Sequence, residues 1–242
     1  MRKRADVLLV ERGLFESRAR ARAAIEAGGV TADGRTVGRA SEMLEEAAAL
    51  VAAPAHPWVG RGGVKLAYAL ETWPVTVEGA VAADVGASTG GFTEVALSRG
   101  ASKVYAVDVG RGQLHARLAG DPRVVNLEAT DARDLSPALI PEPVDLVVTD
   151  VSFIGLAKAL PAALALVRGG GELVALVKPQ FEVGPERVGK GGLVKDKAAR
   201  LDALEGVKAF LTASGWTLQA TTDSPIEGGD GNREFLLWAR KG

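Results

Sequence analysis

Short apolar runs recur along most of the chain, each ending near a polar or glycine residue and separated by stretches with helical spacing. Residues 80–85, 103–107, 124–127, 144–149, 172–177 and 235–239 read as strands, because runs of this length between turn residues suit buried sheet positions. A helical pattern follows the first of them, to Arg99. Strand and helix in alternation predict an α/β fold with a largely parallel sheet. The first fifty or so residues differ. Ser17 is placed to cap a helix running to about Ala27, with Ala21, Ala24 and Ile25 on its apolar face. Gly28-Gly29 stops it, and residues 30–37 read as two short strands around the Asp33-Gly34 turn. Ala53-Pro54-Ala55-His56-Pro57-Trp58 divides the two textures, since proline fixes φ and biases its predecessor toward extended backbone. The expected division is a small α+β domain at 1–53, a linker at 54–59 and an α/β domain at 60–242.

Composition narrows the chemistry. With 242 residues, 47% of them apolar and 24% charged, the chain is long enough for a proper core and ordinary for a globular protein. The absence of cysteine excludes disulfides, thiolate zinc sites and cysteine nucleophiles, and only two histidines leave no expectation of a metal. Neither a signal peptide nor an apolar run of membrane-spanning length is visible, so a soluble cytoplasmic protein is expected. The formal net charge of −1 argues against a strongly basic nucleic-acid coat protein. The sum hides an asymmetry, because residues 1–22 carry seven Lys or Arg against three Asp or Glu. Arg18 and Arg22, four apart, share one side of the predicted helix and could meet successive phosphates; a solvated helix face is the plainer reading.

The strand at 80–85 contains Asp84 and runs into Gly86-Ala87-Ser88-Thr89-Gly90-Gly91-Phe92. A strand, a glycine-rich turn and a helix form the first unit of a nucleotide-binding sheet. Asp108 closes the second strand, where an acid suits the two hydroxyls of a ribose, and Asp131 follows the third, placed to meet an adenine amino group. The spacing Gly-x-x-x-Gly-Gly is not the dinucleotide Gly-x-Gly-x-x-Gly, which disfavours a nicotinamide dehydrogenase. Asp84 ahead of the loop suits a cationic amino group better than a pyrophosphate, and S-adenosylmethionine carries such a group and no phosphate. Residues 184–190 fit Gly-x4-Gly-Lys, but Gly191 stands where a phosphate-binding loop needs Ser or Thr for magnesium. A basic lid at 184–197 is the better expectation. Asp150 and Lys178 follow the fourth and fifth strands and should share one crevice at the sheet edge. A structural salt bridge is the bland alternative.

Two resemblances extend this reading. Arg4-x-Asp6, Leu9, Gly13-Leu14, Ser17-Arg18, Ala21, Ile25, Gly28, Val30 and Gly34 resemble the S4-type RNA-binding domain, although Thr31-Ala32-Asp33-Gly34 replaces the commoner Val-x-Val-Asn-Gly. The resemblance implies that Lys3, Arg4, Arg18, Arg20 and Arg22 hold folded RNA. Lys65, Asp150, Lys178 and Glu234, in that order, resemble the Lys-Asp-Lys-Glu tetrad of FtsJ-like RNA ribose 2′-O-methyltransferases. With residues 84–94, 150–154 and 177–184, the whole chain resembles the TlyA family. That resemblance implies a Rossmann-like seven-stranded sheet, mostly parallel with an antiparallel last strand, and S-adenosylmethionine bound by Asp84, Gly86, Ala87, Ser88, Gly90, Gly91, Phe92, Asp108, Asp131 and Asp150.

The implied reaction is methyl transfer to a cytidine 2′-hydroxyl of ribosomal RNA, in the large subunit and sometimes the small one. The short C-terminal end resembles members restricted to the large subunit. A lysine in water is protonated at neutral pH, so a lysine base needs desolvation and a nearby cation. The expectation is Lys178 as base, tuned by Lys65 and positioned by Asp150 and Glu234. Trp58-Val59 resembles the end of a family linker motif that couples the domains, with His56 where that motif starts with Arg; simple aromatic packing is the alternative. Ribosomal subunits are the expected partners and a monomer the expected state. A catalytically inert RNA-binding or ribosome-assembly protein is the competing reading; a pore former has no transmembrane pattern to support it.

Overall fold

A computed structural model describes residues 1–242. The chain forms two compact units, Met1–Pro57 and Trp58–Gly242. In the first, β1 (Arg2–Arg4), α1 (Ala5–Glu11), α2 (Arg18–Glu26), β2 (Val30–Ala32), β3 (Arg35–Thr36), β4 (Met43–Glu45) and β5 (Leu50–Ala52) follow in order. Ser17 caps α2 by accepting from the Arg20 N–H at 3.3 Å. Asp33 and Gly34 both take positive φ, +51° and +78°, as the tight β2–β3 turn requires. Strand β1 pairs antiparallel with β4, and β2 lies between β3 and β5. Leu8, Leu9, Phe15, Ala21, Ala24, Ile25 and Val30 bury the apolar faces of these elements in one core. Strands β1, β4 and β5 are three residues each, too short to show an alternation along the chain.

The second unit contains α3 (Gly62–Thr72), β6 (Val81–Val85), α4 (Gly91–Ser98), β7 (Lys103–Asp108), α5 (Ala116–Ala119), β8 (Val124–Glu128), β9 (Val144–Thr149), α6 (Leu156–Ala159), α7 (Pro161–Ala165), β10 (Val167–Val177), α8 (Pro179–Glu182), α9 (Lys197–Ala213), β11 (Trp216–Asp223) and β12 (Phe235–Lys241). Its seven strands lie in the order β11-β12-β10-β9-β6-β7-β8. From β10 to β8 every neighbour is parallel, whereas β12 runs antiparallel to both β10 and β11. One apolar cluster includes Leu156, Leu160, Leu164, Leu204 and Leu211, and the other Leu66, Phe92, Val95 and Leu97. Both faces of the sheet are therefore covered, which is why its central strands are near-continuous apolar runs.

The pattern reading misses β11. Its sequence, Trp-Thr-Leu-Gln-Ala-Thr-Thr-Asp, alternates and sits at the sheet edge with exposed positions between partly buried ones, so no apolar run marks it. β10 begins five residues earlier than expected, with a register shift between Val167 and Glu172 across three glycines. Residues 184–190 enter no phosphate-binding loop. They follow helix α8 rather than a strand and form tight 3-10 turns at Pro185–Arg187 and Lys190–Gly192. Gly231-Asn232 fastens this stretch, since Asn232 accepts from the Val194 N–H and donates to the Gly192 carbonyl, each at 2.9 Å. No helix is long and apolar enough to cross a membrane.

Candidate active site

Strand β6 pairs with β7 on one side and β9 on the other, so successive connections leave it in opposite directions. Such a switch point opens a crevice beyond the strand ends. Here a cavity of about 680 Å³ is lined by Gly86, Ser88, Asp108, Asp131, Asp150 and Phe153, among others. A smaller one of about 250 Å³ adjoins it through Gly86, Ser88, Asp150 and Ser152, and adds Gly60, Gly62, Ala87, Gly91, Phe92 and Lys178. Together they have the size of a pocket for a nucleoside-bearing ligand.

The loop that forms this floor uses glycine for packing as much as for ligand access. Gly86 and Gly90 have φ of +85° and +96°, where side chains are strained. A Cβ on Gly86 would lie 3.0 Å from Val151, and one on Gly90 only 2.3 Å from Leu118. Ser88, between them, also takes positive φ, +48°, and its N–H donates to Asp108 Oδ2 at 2.8 Å. Asp108 Oδ1 accepts from the Gly110 N–H at 2.7 Å. One carboxylate thus ties two loops together, with a second lone pair on each oxygen still open.

Asp84 stands apart from the cavity walls. It is fully buried, and its Oδ2 accepts from Thr93 Oγ1 at 2.6 Å, while Oδ1 has no hydrogen-bond partner. Burial, reinforced by the nearby Asp150 and Asp108 charges, pushes its pKa up to about 7. A buried carboxylate oxygen left unpaired is a natural counterpart for a cation. Asp131 is the reverse case. The Arg133 side chain and N–H grip it at 2.5–2.9 Å and hold its pKa down to about 2.

Asp150, beyond β9, and Lys178, beyond β10, meet at 2.6 Å between Nζ and Oδ1. The contact lies off the axis of a well-formed hydrogen bond. Lys178 Nζ donates to Ser152 Oγ at 2.8 Å and to the Asp150 carbonyl at 3.3 Å. Because β12 is antiparallel and pairs Phe235 with Val177, its first end lies at the same sheet edge, bringing Glu234 there. Glu234 Oε2 accepts from Lys65 Nζ at 2.6 Å, with both side chains almost completely buried. The four residues therefore form two ion pairs, one lining the smaller cavity and one buried away from its lining. Helix α3 joins them: a Cβ on Gly62 would lie 3.1 Å from Asp150 Oδ2, and Lys65 follows one turn later. Trp58 and Val59 pack within this unit. Trp58 presses on Gly63, and the Val59 N–H donates to Glu94 Oε2 at 2.6 Å.

Ser152, Thr93 and Gln113 were not singled out by sequence. Ser152 and Thr93 lie within the stretches around Asp150 and the glycine loop, and Gln113, which accepts from Ser88 Oγ at 3.2 Å, has no local mark. Phe153 is also new: it is 90% exposed at the cavity rim, has φ of +67° and sits 5.3 Å from the Phe181 ring.

Of the five basic residues expected to hold RNA, Arg4, Arg18 and Arg22 line one cleft of about 650 Å³, and Arg39 joins them. Lys3 points instead to Glu11 and Glu46, at 2.7 and 3.2 Å, and Arg20 is not on the cleft wall. Arg39 comes from the loop between β3 and β4, so no helix periodicity relates it to the others.

Residues 58–241 match the family model for FtsJ-like methyltransferases, and residues 3–49 match the S4 domain. The chain is 46% identical over 241 residues to the 16S/23S rRNA (cytidine-2′-O)-methyltransferase TlyA of Mycobacterium tuberculosis, covering 99% of this chain and 90% of that protein. It is 36% identical over 184 residues to the 23S rRNA (cytidine-2′-O)-methyltransferase TlyA of Campylobacter jejuni, covering 75% of this chain and 70% of that one. A solved structure described as a hemolysin from Streptococcus thermophilus superposes with a TM-score of 0.78 at 40% identity, covering 99% of this chain and 88% of that one. With both domain models matched and near-complete coverage of such relatives, the chain belongs to the TlyA family of methyltransferases, in which an S4 domain precedes an FtsJ-like domain.

Proposed function

We propose that this protein transfers a methyl group from S-adenosylmethionine to a cytidine 2′-hydroxyl of ribosomal RNA, with the large subunit as the first substrate and the small one as a candidate second. The observation that carries the reading is the Lys178–Asp150 pair at the floor of a cavity continuous with a nucleoside-sized cleft. Asp108 and Asp131 would meet the ribose and adenine of the cofactor. The loop Gly86, Ala87, Ser88, Gly90, Gly91 and Phe92 would shape its middle, and Asp84, buried behind that loop, would favour its ammonium through charge without touching it. When bound, S-adenosylmethionine supplies a sulfonium methyl carbon open to in-line attack by the ribose oxygen.

Lys178, having first given up its own proton, takes the hydroxyl proton as the oxygen bonds to the methyl carbon and the methyl–sulfur bond breaks, its electron pair leaving on a neutral thioether. Asp150 and Ser152 orient its Nζ, so that the hydroxyl is held in line. Lys65 and Glu234 neutralise each other in the interior and fix the α3 end beside Asp150. The first unit holds the RNA through Arg4, Arg18 and Arg22, with Arg20 and Lys3 as outer contacts. The test is Lys178→Ala with labelled methyl donor on isolated ribosomal subunits of both sizes. Methyl incorporation should fall at least a thousandfold with cofactor affinity changed by no more than a few-fold. Turnover near wild type would overturn the assignment, and incorporation into the small subunit would widen the substrate.

A further inference from the structure

Asp6 is 4% exposed, yet it belongs to the arginine-lined cleft of the first unit. Its Oδ1 accepts from Arg4 Nε at 2.9 Å and from the Val7 N–H at 3.1 Å. Its Oδ2 accepts from Arg4 Nη2 at 3.1 Å and from Arg18 Nε and Nη2 at 3.1 and 2.7 Å. Two guanidiniums from different elements, β1 and α2, thus converge on one carboxylate in the first turn of α1. Neither guanidinium is buried: the Arg4 and Arg18 side chains are 45% and 61% exposed. Each places two nitrogens on Asp6 and keeps Nη1 clear of it.

Charge alone makes this carboxylate a liability, since it subtracts from the attraction of a cleft that has to hold an anion. Geometry works the other way. A free arginine loses much rotamer freedom when it grips a phosphate, and a pair fixed beforehand has already lost it on folding. At physiological salt the charge term is weakened for phosphates farther than about 8 Å from Asp6, whereas the alignment is not screened at all. The geometry points to Asp6 as a positioning residue for RNA binding, one that touches no RNA and aligns Arg4 and Arg18 as a fixed pair for neighbouring phosphates. This rests on the reading of the first unit as the RNA-binding one.

The full-length protein and a fluorescein-labelled RNA hairpin, followed by anisotropy at about 0.15 M salt, test it. Asp6→Asn raises the net positive charge yet should bind about tenfold more weakly, with the gap narrowing as salt is lowered. In an Arg4→Gln, Arg18→Gln background the same Asp6→Asn change should alter affinity less than twofold, because the groups it aligns are gone. Arg4→Lys with Arg18→Lys keeps every charge and leaves Asp6 in place, but should also weaken binding several-fold, because lysine lacks the two-pronged donor set. Asp6→Asn binding as tightly as wild type overturns the proposal. So does an equal loss in the glutamine background, which marks general damage to the fold, or unchanged affinity in the lysine variant. If Arg4→Gln, Arg18→Gln itself binds like wild type, the RNA reading of this cleft fails and the proposal falls with it.

Discussion

Asp84 shows what one buried charge does to a site. Its pKa is raised from 3.8 to about 7, so across that window the folded protein keeps a proton that the unfolded chain has lost. Stability then falls as pH rises through the window, by at most ~1.4 kcal/mol per pH unit from this group. Urea denaturation of the free protein at pH 5 and pH 7 should show the decline, and Asp84→Asn should remove most of it. Asp84 feels the charges of Asp150 and Asp108 on the cavity wall, so a cation bound in that cavity favours its ionised form, and cofactor binding between about pH 6 and 7.5 should release a proton. Calorimetry in buffers of different ionisation enthalpy reads that release directly; none should occur with Asp84→Asn. Asp6 has the opposite sign. The Arg4 and Arg18 guanidiniums lower its pKa from 3.8 to about 2, so its contribution is present above pH 4 and is lost as pH falls toward 2. Circular dichroism at acid pH should show Asp6→Asn less acid-sensitive than wild type. Asp84, Asp108, Asp131 and Asp150 were legible from their positions at strand ends, whereas Asp6 stood out only within the Arg4-x-Asp6 motif. The partners of Asp84 and Asp131 were not, because Thr93 and Arg133 acquire meaning only through distances.

At the scale of elements, the glycine loop and strand β12 carry the site. Gly90 caps α4 in the left-handed region, and a methyl there meets Leu118 and Leu114 at 2.3 and 2.8 Å. Gly90→Ala should therefore cost ~3 kcal/mol by chemical denaturation, from backbone strain and overpacking together. Gly112 also has positive φ, +64°, but nothing lies near its missing Cβ, so Gly112→Ala should cost only ~1 kcal/mol. The core strands were readable as apolar runs because both faces are covered. Edge strand β11 was not, and without it the antiparallel pairing of β12 has no visible outer neighbour. The direction of β12 delivers Glu234 to the strand ends of the opposite hand. A parallel strand would leave it at the far edge of the sheet.

The whole molecule is two units of unequal means. The second has two apolar clusters and the first has one, built from a unit of only 57 residues that is near the lower size for independent stability. Residues 58–242 expressed alone should unfold cooperatively and bind S-adenosylmethionine within a few-fold of the full chain, while methyl transfer to ribosomal subunits falls more than a hundredfold. Equal transfer by the fragment would remove the first unit from substrate binding. The sequence by itself determined the α/β class, the change of texture near residue 53 and the strand-end acids, because each depends on period, turn chemistry or local order, whereas Lys65 and Glu234 stood out only through the resemblance to the FtsJ-like tetrad. Only tertiary structure decided that the tetrad forms two separate ion pairs, that Asp84 is buried and half-satisfied, and that Asp6 gathers Arg4 and Arg18 while Lys3 turns to Glu11 and Glu46. The reason is physical. Burial, charge pairing and register depend on which distant segments meet, and strand direction, loop closure and helix packing set that in three dimensions.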